Sequence, residues 1–487
     1  MTSLRLIAAI ALVSTFIISS ASAQLCSYKT LKPRRSSPGT APDWEYSVVH
    51  NKFIQPRTIL FDTEGALLVM DGIGGIIHVQ LDDSDPAGGR CVRMKKKKTL
   101  LKKDTLTHGL ALSKDGRTIY ASSPQSVFSY SYEPVNGTLD KNSEKVVIDN
   151  MANDGHTWRS LLISQKNPDM LIVSRGSGLR SDPQAEVLSS GHAQIRAFNI
   201  SALDLSLPDT KPYDFANDGV LLGWGLRNAL GLAEHPVTGG IFSTESSYEV
   251  LDRDGKDISV DNPGDEMNFH GYLNGSTESS GGNYGYPFCY SLWSVSKFPG
   301  LGGLKIGQQF GDDRQSEHSR RTDEECQRDY VAPVRVFQAQ SAPLDLEFNQ
   351  DGTRAAIAFH GSCKLSSHFT LPPPLSQLTD MPYSGNRHDP VGYQVAINDF
   401  KEGQPVIAAI GSTNATHPII FNKNIKRCNG ECFRPVSLAW DKKNRLFFSS
   451  DKTHEVFVLY NTREAHEADK NSTKGPYVWG GSKDDNW

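Results

Sequence analysis

In five short stretches of the sequence, a cationic or amide side chain lies at or near the start of a run that alternates like a β-strand. These residues are Arg57, His108, His156 with Arg159, Arg227 with Asn228, and Arg434. Four arginines brought to one place repel one another unless carboxylates accompany them. The set therefore indicates a site for an anion with several carboxylate groups. An alternative interpretation is that each position is simply a polar loop.

The elements that must position these residues repeat along the chain. Each copy has a β-alternating run, a polar turn and a second β-rich run, and in four copies the turn contains Asp-Gly, Glu-Gly or Gly-Gly, which suit tight hairpins. The copies are PRTILFDTEGALLVMD, THGLALSKDGRTIYASS, HTWRSLLISQKNPDMLIVS, RNALGLAEHPVTGGIFSTE, APLDLEFNQDGTRAAIAFHGS and FRPVSLAWDKKNRLFFSSD. Helical periodicity is nearly absent. Repeats of this length predict an all-β, six-bladed β-propeller, with the polar residues at the channel entrance.

Composition and charge narrow the class of protein. The 487 residues are 38% hydrophobic and 22% charged, and the formal net charge is -4. A chain of this charge carries no overall basic field for nucleic acid, so no nucleic-acid partner is expected. The lysine run RMKKKKTLLKK, from Arg93 to Lys103, lacks interleaved aromatic residues and is interpreted as a solvated loop or hairpin.

The N-terminus predicts export. Residues 1–23 have one positive charge, an apolar stretch and the pattern Ala21-Ser22-Ala23, typical of a cleaved signal peptide, and residues 24–487 are expected to form a single domain. No later segment has the roughly 20 apolar residues that a membrane span needs. Glycosylation sequons begin at Asn136, Asn199, Asn274, Asn414 and Asn471.

Seven cysteines in an oxidising compartment predict three disulfides and one unpaired thiol. Their order alone suggests Cys26 with Cys91, Cys289 with Cys326, and Cys428 with Cys432. Cys363 is then left over.

Nine segments between Pro56 and Asp451 resemble one known family in the same order along the chain. The family is that of the secreted fungal pyrroloquinoline-quinone-dependent pyranose dehydrogenases, auxiliary activity family 12, which are related to bacterial soluble glucose and sorbosone dehydrogenases. The segments are PRTILFD, GHTWRSLL, GWGLRNALGLAEHPVTGGIFSTE, DNPGDEMNFHG, NYGYPFCYSLW, APLDLEF, FHGS, DPVGYQV and CFRPVSLAWDKKNRLFFSSD.

The resemblance implies a catalytic pair at the channel. His156 matches the histidine that acts as general base while a hydride leaves the anomeric carbon of the sugar for pyrroloquinoline quinone (PQQ). Arg227 matches the arginine beside the quinone carbonyl, where a cation stabilises developing charge. The function expected is the oxidation of a pyranose or aldose at C1.

The resemblance also implies cofactor and metal contacts. Asn228 and Arg434 match cofactor-binding positions, as Arg227 does, and Arg57 and Arg159 are assigned as cofactor or substrate contacts, with a structural pair as the alternative. Main-chain oxygens near Asn262 and Pro263 are expected to bind Ca²⁺. Alternatively, the neighbouring Asp265 and Glu266 merely organise a loop.

The same resemblance implies an electron acceptor. Electrons are expected to pass to a separate protein, such as a cytochrome or a copper oxygenase. The protein is also expected to be a secreted monomer.

Residues 363–385 depart from the family pattern in the fifth repeat. This stretch contains a Pro-Pro-Pro run and Cys363, and the Trp expected after FHGS is missing. Two interpretations are open: a translated intron or similar error in the gene structure, or a long surface loop. If the segment belongs to the protein, Lys364 and His368 are expected near the channel mouth.

Two further functions come from other classes. One is a calcium-dependent propeller hydrolase of the lactonase type, which would hold calcium through several carboxylate and Asn side chains. The other is a propeller that binds without catalysis, which the altered fifth repeat keeps open. The arginines and histidines at the entrances favour an anionic cofactor over the hydrolase.

Overall fold

Six small antiparallel sheets form the blades of a β-propeller in the computed structural model. The structure describes residues 26–35, 37–178, 181–207, 209–275, 277, 279–313, 320–362, 389–428 and 432–464. The predicted signal peptide, Cys363, which is predicted to be unpaired, and Lys364 and His368 lie outside these residues. The all-β, six-bladed prediction is confirmed.

Each of the first three blades is built outward from the channel by four strands in chain order. Blade one contains β3 (Pro56–Phe61), β4 (Leu67–Asp71), β5 (Gly75–Asp82) and β6 (Arg93–Leu101). Blade two contains β7 (Leu110–Leu112), β8 (Thr118–Ser122), β9 (Val127–Glu133) and β10 (Thr138–Asp149), with β14 (Tyr213–Asp214) at its edge. Blade three contains β11 (Leu161–Ile163), β12 (Met170–Arg175), β13 (Gln194–Asn199) and β15 (Val220–Trp224), with β21 (Gly282–Asn283) at its edge.

The last three blades follow the same plan. Blade four contains β16 (Ala229–Glu234), β17 (Ile241–Glu245), β20 (Asp265–Phe269) and β24 (Arg335–Phe337). Blade five contains β25 (Pro343–Phe348), β26 (Arg354–Phe359), β27 (Gln394–Lys401) and β29 (His417–Phe421), with β1 (Gly39–Thr40) and β28 (Gln404–Pro405) at its margins. Blade six contains β30 (Pro435–Trp440), β31 (Leu446–Ser450) and β32 (Glu455–Asn461), and β2 (Trp44–His50) is its outer strand.

Every repeat found in the sequence is the inner hairpin of one blade. The six hairpins are β3/β4, β7/β8, β11/β12, β16/β17, β25/β26 and β30/β31. The pattern was readable because a period-2 alternation and a glycine-containing turn are local features. All six inner strands therefore start at one end of the channel.

The ring of blades is closed by β2, which lies near the N-terminus and joins blade six. β2 pairs antiparallel with β32, from Trp44 opposite Asn461 to His50 opposite Val456. Phe447 and Val458 of blade six pack against Ile59 and Val69 of blade one. Burying this seam stabilises the ring because apolar area is removed from water on both faces.

Smaller elements lie above and around the blades. Blade four carries insertions between its strands. The hairpin of β18 (Asp252–Arg253) with β19 (Lys256–Asp257) lies between β17 and β20, and the hairpin of β22 (Cys289–Ser291) with β23 (Gln309–Gly311) lies between β20 and β24. The helix α1 (Asp323–Asp329) also precedes β24, and Thr322 and Glu325 form a capping box at its start. Short 3₁₀ turns span Gly72–Gly74, Pro183–Glu186, Leu188–Ser190, Ile200–Ala202, Ala409–Asn414 and Ile425–Arg427.

Three disulfides join the residues that sequence order had paired. They are Cys26–Cys91, Cys289–Cys326 and Cys428–Cys432. The lysine run forms β6, the exposed outer strand of blade one. Lysines on such an edge oppose pairing with other chains. In the described part of the chain, no helix is long and apolar enough to cross a membrane.

The atypical segment of the fifth repeat joins two paired strands. Phe359, at the end of β26, lies opposite Gln394, at the start of β27. Both strands are formed, so blade five has its sheet.

Candidate functional site

The start of the inner strand is irregular in four blades, and this irregularity lies at the channel entrance. Register shifts occur near Pro56, Ala229, Pro343 and Pro435, where the inner and second strands begin to pair. A bulge turns side chains away from the regular alternation of a strand. It also leaves main-chain N–H groups that need other acceptors.

Side chains at the end of the second strand satisfy several of these groups. Asp71 accepts from the N–H of Gln55, Ser122 from Gly109, Glu245 from Arg227 and Ser450 from Arg434. Each entrance is thus fixed by a polar side chain of its own blade. A fixed entrance holds functional side chains in one geometry before any ligand arrives.

On one side of the channel, the carboxylate of Asp451 in blade six contacts residues of blades one and five. Asp451 Oδ2 lies 3.1 Å from Arg57 Nη1, and Asp451 Oδ1 lies 3.1 Å from His360 Nε2. Arg434 donates from Nε to the main-chain oxygen of His360 at 3.0 Å and from Nη2 to that of Gly361. Burial opposes ionisation of Asp451, but His360, Arg57 and Arg434 hold its pKa well below its ordinary value.

Trp158 lies where the inner strands converge. The Arg57 guanidinium carbon is 3.8 Å from the ring centroid of Trp158, and the His108 ring stacks on it at 5.3 Å. The indole packs on an apolar cluster contributed by three other blades, Leu230, Leu344 and Val436. Burial and then Arg57 lower the pKa of His108 to about 3, so His108 is neutral near pH 7.

His156 is half-buried on the opposite side of the channel, and its ring contacts Ser177 of blade three. Its Nδ1 lies 3.0 Å from Ser177 Oγ and 3.3 Å from the main-chain oxygen of Ser177. No described residue bonds to its Nε2. Burial and then Arg227 lower the pKa of His156 to about 3, against the hydrogen bond with Ser177, which raises it.

Arg227 is buried and is anchored through both terminal nitrogens of its guanidinium. It donates from Nη1 to the main-chain oxygen of Ser247 at 2.9 Å and from Nη2 to Glu249 at 2.8 Å. Burial opposes its charge, but Glu249 and nearby tyrosines raise the pKa of Arg227 above its ordinary value. The main chain of Ser177 joins it to His156, because Ser177 N donates to Arg227 O at 2.8 Å and Ser177 O accepts from His156 N at 3.0 Å.

Arg159 has a different environment. Its side chain is fully enclosed, with 0% of the residue exposed. The guanidinium donates to main-chain oxygens of Pro124, Met151, His156 and Trp158 and to Asn153. These contacts hold the loop that carries His156 and Trp158. They favour the structural alternative for Arg159 over direct contact with a ligand.

The loop containing Asn262 and Pro263 has free main-chain acceptors. The Asn262 side chain is occupied, since Oδ1 accepts from the N–H groups of Trp293 and Ser294 and Nδ2 donates to Ser294 O. The main-chain oxygens of Asn262 and Pro263 accept no hydrogen bond from the described residues. Two such carbonyls fit a hard cation such as Ca²⁺.

Asp265 connects this loop to two blades. It accepts from the N–H of Ser247, from the N–H of Ala342 and from the Ser341 hydroxyl. Because Ser247 also bonds Arg227, the loop is positioned relative to that arginine. Asp265 therefore fixes this loop relative to Ser247 and Ala342. The described residues contain no cluster of three or more His, Cys, Asp or Glu arranged for a metal ion.

The sequence patterns place the entrance residues, but they do not identify the residues that contact them. Arg57 and Arg434 lie together on one side, and His156, Arg227 and Asn228 lie together on the other, where a Cβ on Gly176 would be 2.7 Å from His156 Cβ and 3.1 Å from Asn228 Oδ1. The missed residues are Trp158, Ser177, Glu249, His360 and Asp451. Some of these residues could have been found from the sequence, because several repeats end or follow their second strand with a polar or charged residue.

Known proteins share both the sequence and this architecture. The family described as TrAA12-like matches residues 38–462. The pyrroloquinoline quinone-dependent sugar dehydrogenase of Hypocrea jecorina is 41% identical over 454 residues, which is 93% of this chain and 96% of that protein.

Two solved structures are similar to this chain over most of its length. The calcium structure of Trichoderma reesei Carbohydrate-Active Enzymes Family AA12 is 42% identical, with a TM-score of 0.80 over 89% of this chain and 99% of that chain. The holo form of the pyranose dehydrogenase PQQ domain of Coprinopsis cinerea is 28% identical, with a TM-score of 0.75 over 88% of this chain and 98% of that chain. The family match and the Hypocrea relative both extend over nearly all of the propeller, so this chain belongs to the TrAA12-like family.

Proposed function

We propose that this protein is a PQQ-dependent dehydrogenase that oxidises a pyranose or aldose at C1. The observation that carries the proposal is the arrangement at the channel entrance. A histidine with an open Nε2 lies beside one buried arginine, Arg227, and two further arginines lie across the channel in blades one and six. Family membership and the names of the relatives support the same function.

The residues fit an anionic cofactor. Arg57 and Arg434 are held at the channel by Asp451 and by main-chain oxygens, and Arg227 and Asn228 lie opposite them. A cofactor with several carboxylates is attracted by these fixed cations. The free carbonyls of Asn262 and Pro263 would hold Ca²⁺. When bound, PQQ supplies the acceptor for the hydride that leaves C1.

His156 takes the proton of the C1 hydroxyl at Nε2. Its Nδ1 is held by Ser177, so the ring cannot turn freely, and proximity of base and hydroxyl lowers the barrier. The low pKa of His156 without a ligand is due to burial and to arginines, chiefly Arg227. Carboxylates that offset those arginines bring the pKa upward, toward values suited to a base near neutral pH.

Arg227 supplies a fixed positive charge. It stays protonated because Glu249 accompanies it, and its anchors on Ser247 and Glu249 prevent it from swinging away. A cation that is already oriented stabilises developing negative charge without reorganisation during the reaction.

Calorimetric titration of metal-stripped protein with PQQ, with and without Ca²⁺, tests the proposal. An aldose panel with an artificial electron acceptor follows. We expect calcium-dependent binding that weakens in Arg227→Ala and Arg434→Ala, and loss of turnover in His156→Ala with cofactor binding retained. The exposed Arg117 and His417 provide matched controls as alanine variants. Absence of PQQ binding, or full turnover in His156→Ala, would contradict the proposal.

We also propose a wider setting for the protein. The three disulfides fit an exported protein, and secretion as a monomer with electrons passed to a separate cytochrome or copper oxygenase is consistent with the family. Peptide mapping of culture fluid from the source organism would test both secretion and the presence of residues 363–385. No structural observation favours the hydrolase.

A further inference from the structure

A cavity of about 330 Å³ lies at the outer edge of the seam between blade six and blade one. Three parts of the chain line it: residues 26–35, the end of β2 with the two residues that follow, and the start of β6. Its lining includes Tyr28, Lys29, Leu31, His50, Lys52 and Arg93. β2 and β6 are the outermost strands of their blades, whereas the channel entrance is formed by the innermost strands. The cavity is therefore separate from the site described above, and its volume suits a small organic ligand.

Residues 26–35 form a fixed wall of this cavity. A disulfide anchors the first of them, and Ser27 donates to Asp85 from its N–H at 2.8 Å and from its hydroxyl at 2.6 Å. Leu31 forms an antiparallel bridge with Val48 of β2. The wall is thus in place before a ligand arrives, which reduces the entropy lost on binding.

Three lysines give the cavity positively charged surroundings. Lys29 and Lys52 line it. Lys97 lies close by, with its ammonium 5.2 Å from the centroid of the Phe53 ring and 3.1 Å from the main-chain oxygen of Lys52. None of the three lysines forms an ion pair with a described carboxylate. Uncompensated ammonium groups in one region attract an anion.

Two nearby carboxylates already have donors of their own. Asp82 accepts from Nε and Nη2 of Arg93 at 2.9 and 2.8 Å. Asp85 accepts from Ser27, as described above. The Arg93 guanidinium carbon also lies 4.3 Å from the centroid of the Tyr28 ring, so it fixes this ring in the wall. Tyr28 therefore offers a fixed aromatic surface, and its buried hydroxyl has no hydrogen-bond partner.

His50 supplies the buried polar group of the wall. The residue is 8% exposed, and its ring packs edge-on against Phe53, with 4.9 Å between the ring centroids. Its Nε2 has no hydrogen-bond partner, and no described residue bonds to Nδ1. Burial, and then the charges of Lys97 and Lys52, lower the pKa of His50 to about 4, so the ring is neutral near pH 7. Buried polar groups are rarely left without partners, so a ring N–H that is free to donate indicates an occupant.

We propose that this cavity is a binding site for a small organic carboxylate. Lys29 and Lys52 attract the carboxylate group, and the N–H of the His50 ring donates to it. Tyr28 and Leu31 pack against the carbon skeleton. A neutral sugar would leave the lysines uncompensated, and an inorganic anion would leave the apolar part of the wall uncovered. No residue of the channel takes part, so the site does not depend on the proposed function.

NMR spectra of the His50 ring measure binding without any activity. Histidine-labelled full-length protein at pH 7 is titrated in turn with gluconate, benzoate, glucose and sodium chloride, and His50→Gln assigns the signals. We expect a saturable shift of the His50 signals with a carboxylate, because its oxygen bonds to the ring. A response to gluconate identifies a sugar acid, and a response to benzoate an aromatic acid. No response to either acid at millimolar concentration, or an equal response to glucose or chloride, would overturn the proposal.

Paired lysine variants separate this cavity from the general charge of the protein. Lys29→Gln combined with Lys52→Gln should weaken binding of the responding acid about fivefold, because two attracting charges are lost. Lys96→Gln combined with Lys98→Gln is the matched control, since both lysines neighbour Lys97 on β6 and therefore point to the opposite face of the strand. The control should bind as the wild type does. Equal losses in the two double variants would contradict the assignment.

Arg434→Gln separates the cavity from the channel entrance, where arginines also attract carboxylates. This variant should keep the His50 response, since Arg434 precedes the innermost strand of blade six and the cavity adjoins the outermost one. Loss of the response would place the ligand in the channel and overturn the proposal. A retained response in protein that oxidises no aldose would contradict only the proposed function.

Discussion

Asp451, which follows the second strand of blade six, lies 3.1 Å from the guanidinium of Arg57 at the entrance of blade one. The two residues lie across the seam where the first and last blades of the ring meet. The same carboxylate also holds His360 of blade five. One acidic residue therefore links three blades at the mouth of the channel.

Asp451→Asn should destabilise the fold as well as the site. Removing one member of a buried pair leaves its partner charge uncompensated, at a cost of about 3 to 5 kcal/mol. Because the pKa of Asp451 is lowered in the folded protein, its stabilisation is present above the ordinary aspartate pKa and is lost as pH falls below it. Urea unfolding at pH 7 and pH 3 should therefore show a smaller difference between variant and wild type at pH 3. An equal difference at both pH values would contradict this account.

Arg227→Gln should raise the pKa of His156 in the cofactor-free protein. Arg227 is the largest cause, after burial, of the low pKa of His156. A histidine that stays neutral in the folded state opposes folding as pH falls below its unfolded pKa, so the variant should lose less stability between about pH 6 and pH 4. NMR titration of the His156 ring gives the pKa directly. Arg434→Gln is the control and should leave it unchanged.

Trp158→Ala should weaken cofactor binding by roughly tenfold or more, because the indole supports the guanidinium of Arg57. Trp158→Phe keeps an aromatic face and should lose less. Calorimetric titration with PQQ in the presence of Ca²⁺ compares the two. Equal affinity of both variants and the wild type would show that Trp158 only fills the channel.

Asn262→Ala should weaken Ca²⁺ binding although the side chain is not proposed as a ligand. The amide holds the N–H groups of Trp293 and Ser294, and its loss lets the main-chain oxygens of the loop move apart. Thermal melts of metal-stripped protein with added Ca²⁺ and PQQ should show an upward shift in the wild type and about a tenfold higher calcium requirement in the variant. Asn167→Ala, on an exposed turn of blade three, is the control.

Asp345→Asn should stabilise the protein at alkaline pH. Burial raises the pKa of Asp345 and, with the charge of Asp345, that of Glu347 on the same inner strand. A carboxyl group with a raised pKa loses stabilisation as pH rises above its unfolded pKa, so the advantage of the variant should grow between about pH 4 and pH 8, to about 1 kcal/mol or more. Chemical denaturation across this range measures it. An advantage that does not change with pH would show that burial does not raise the pKa of Asp345.

The sequence by itself determined the six inner hairpins, the end of the channel at which they begin, and the polar residues at their starts. Alternation and turn chemistry are local, so residues such as Arg57, His156 and Arg434 could be placed at the entrance before any contact was known. Pairing of the disulfides followed from cysteine order alone.

Only the tertiary structure decided what those residues touch. Arg57 meets Asp451 because the ring closes between blades one and six, and Ser177 meets His156 because two glycine-flanked segments pack tightly. Arg159 looked equivalent to Arg57 in the sequence, yet its guanidinium lies in its own loop. Partners across blades are set by distance in space rather than along the chain, and a repeat pattern contains no information on that distance.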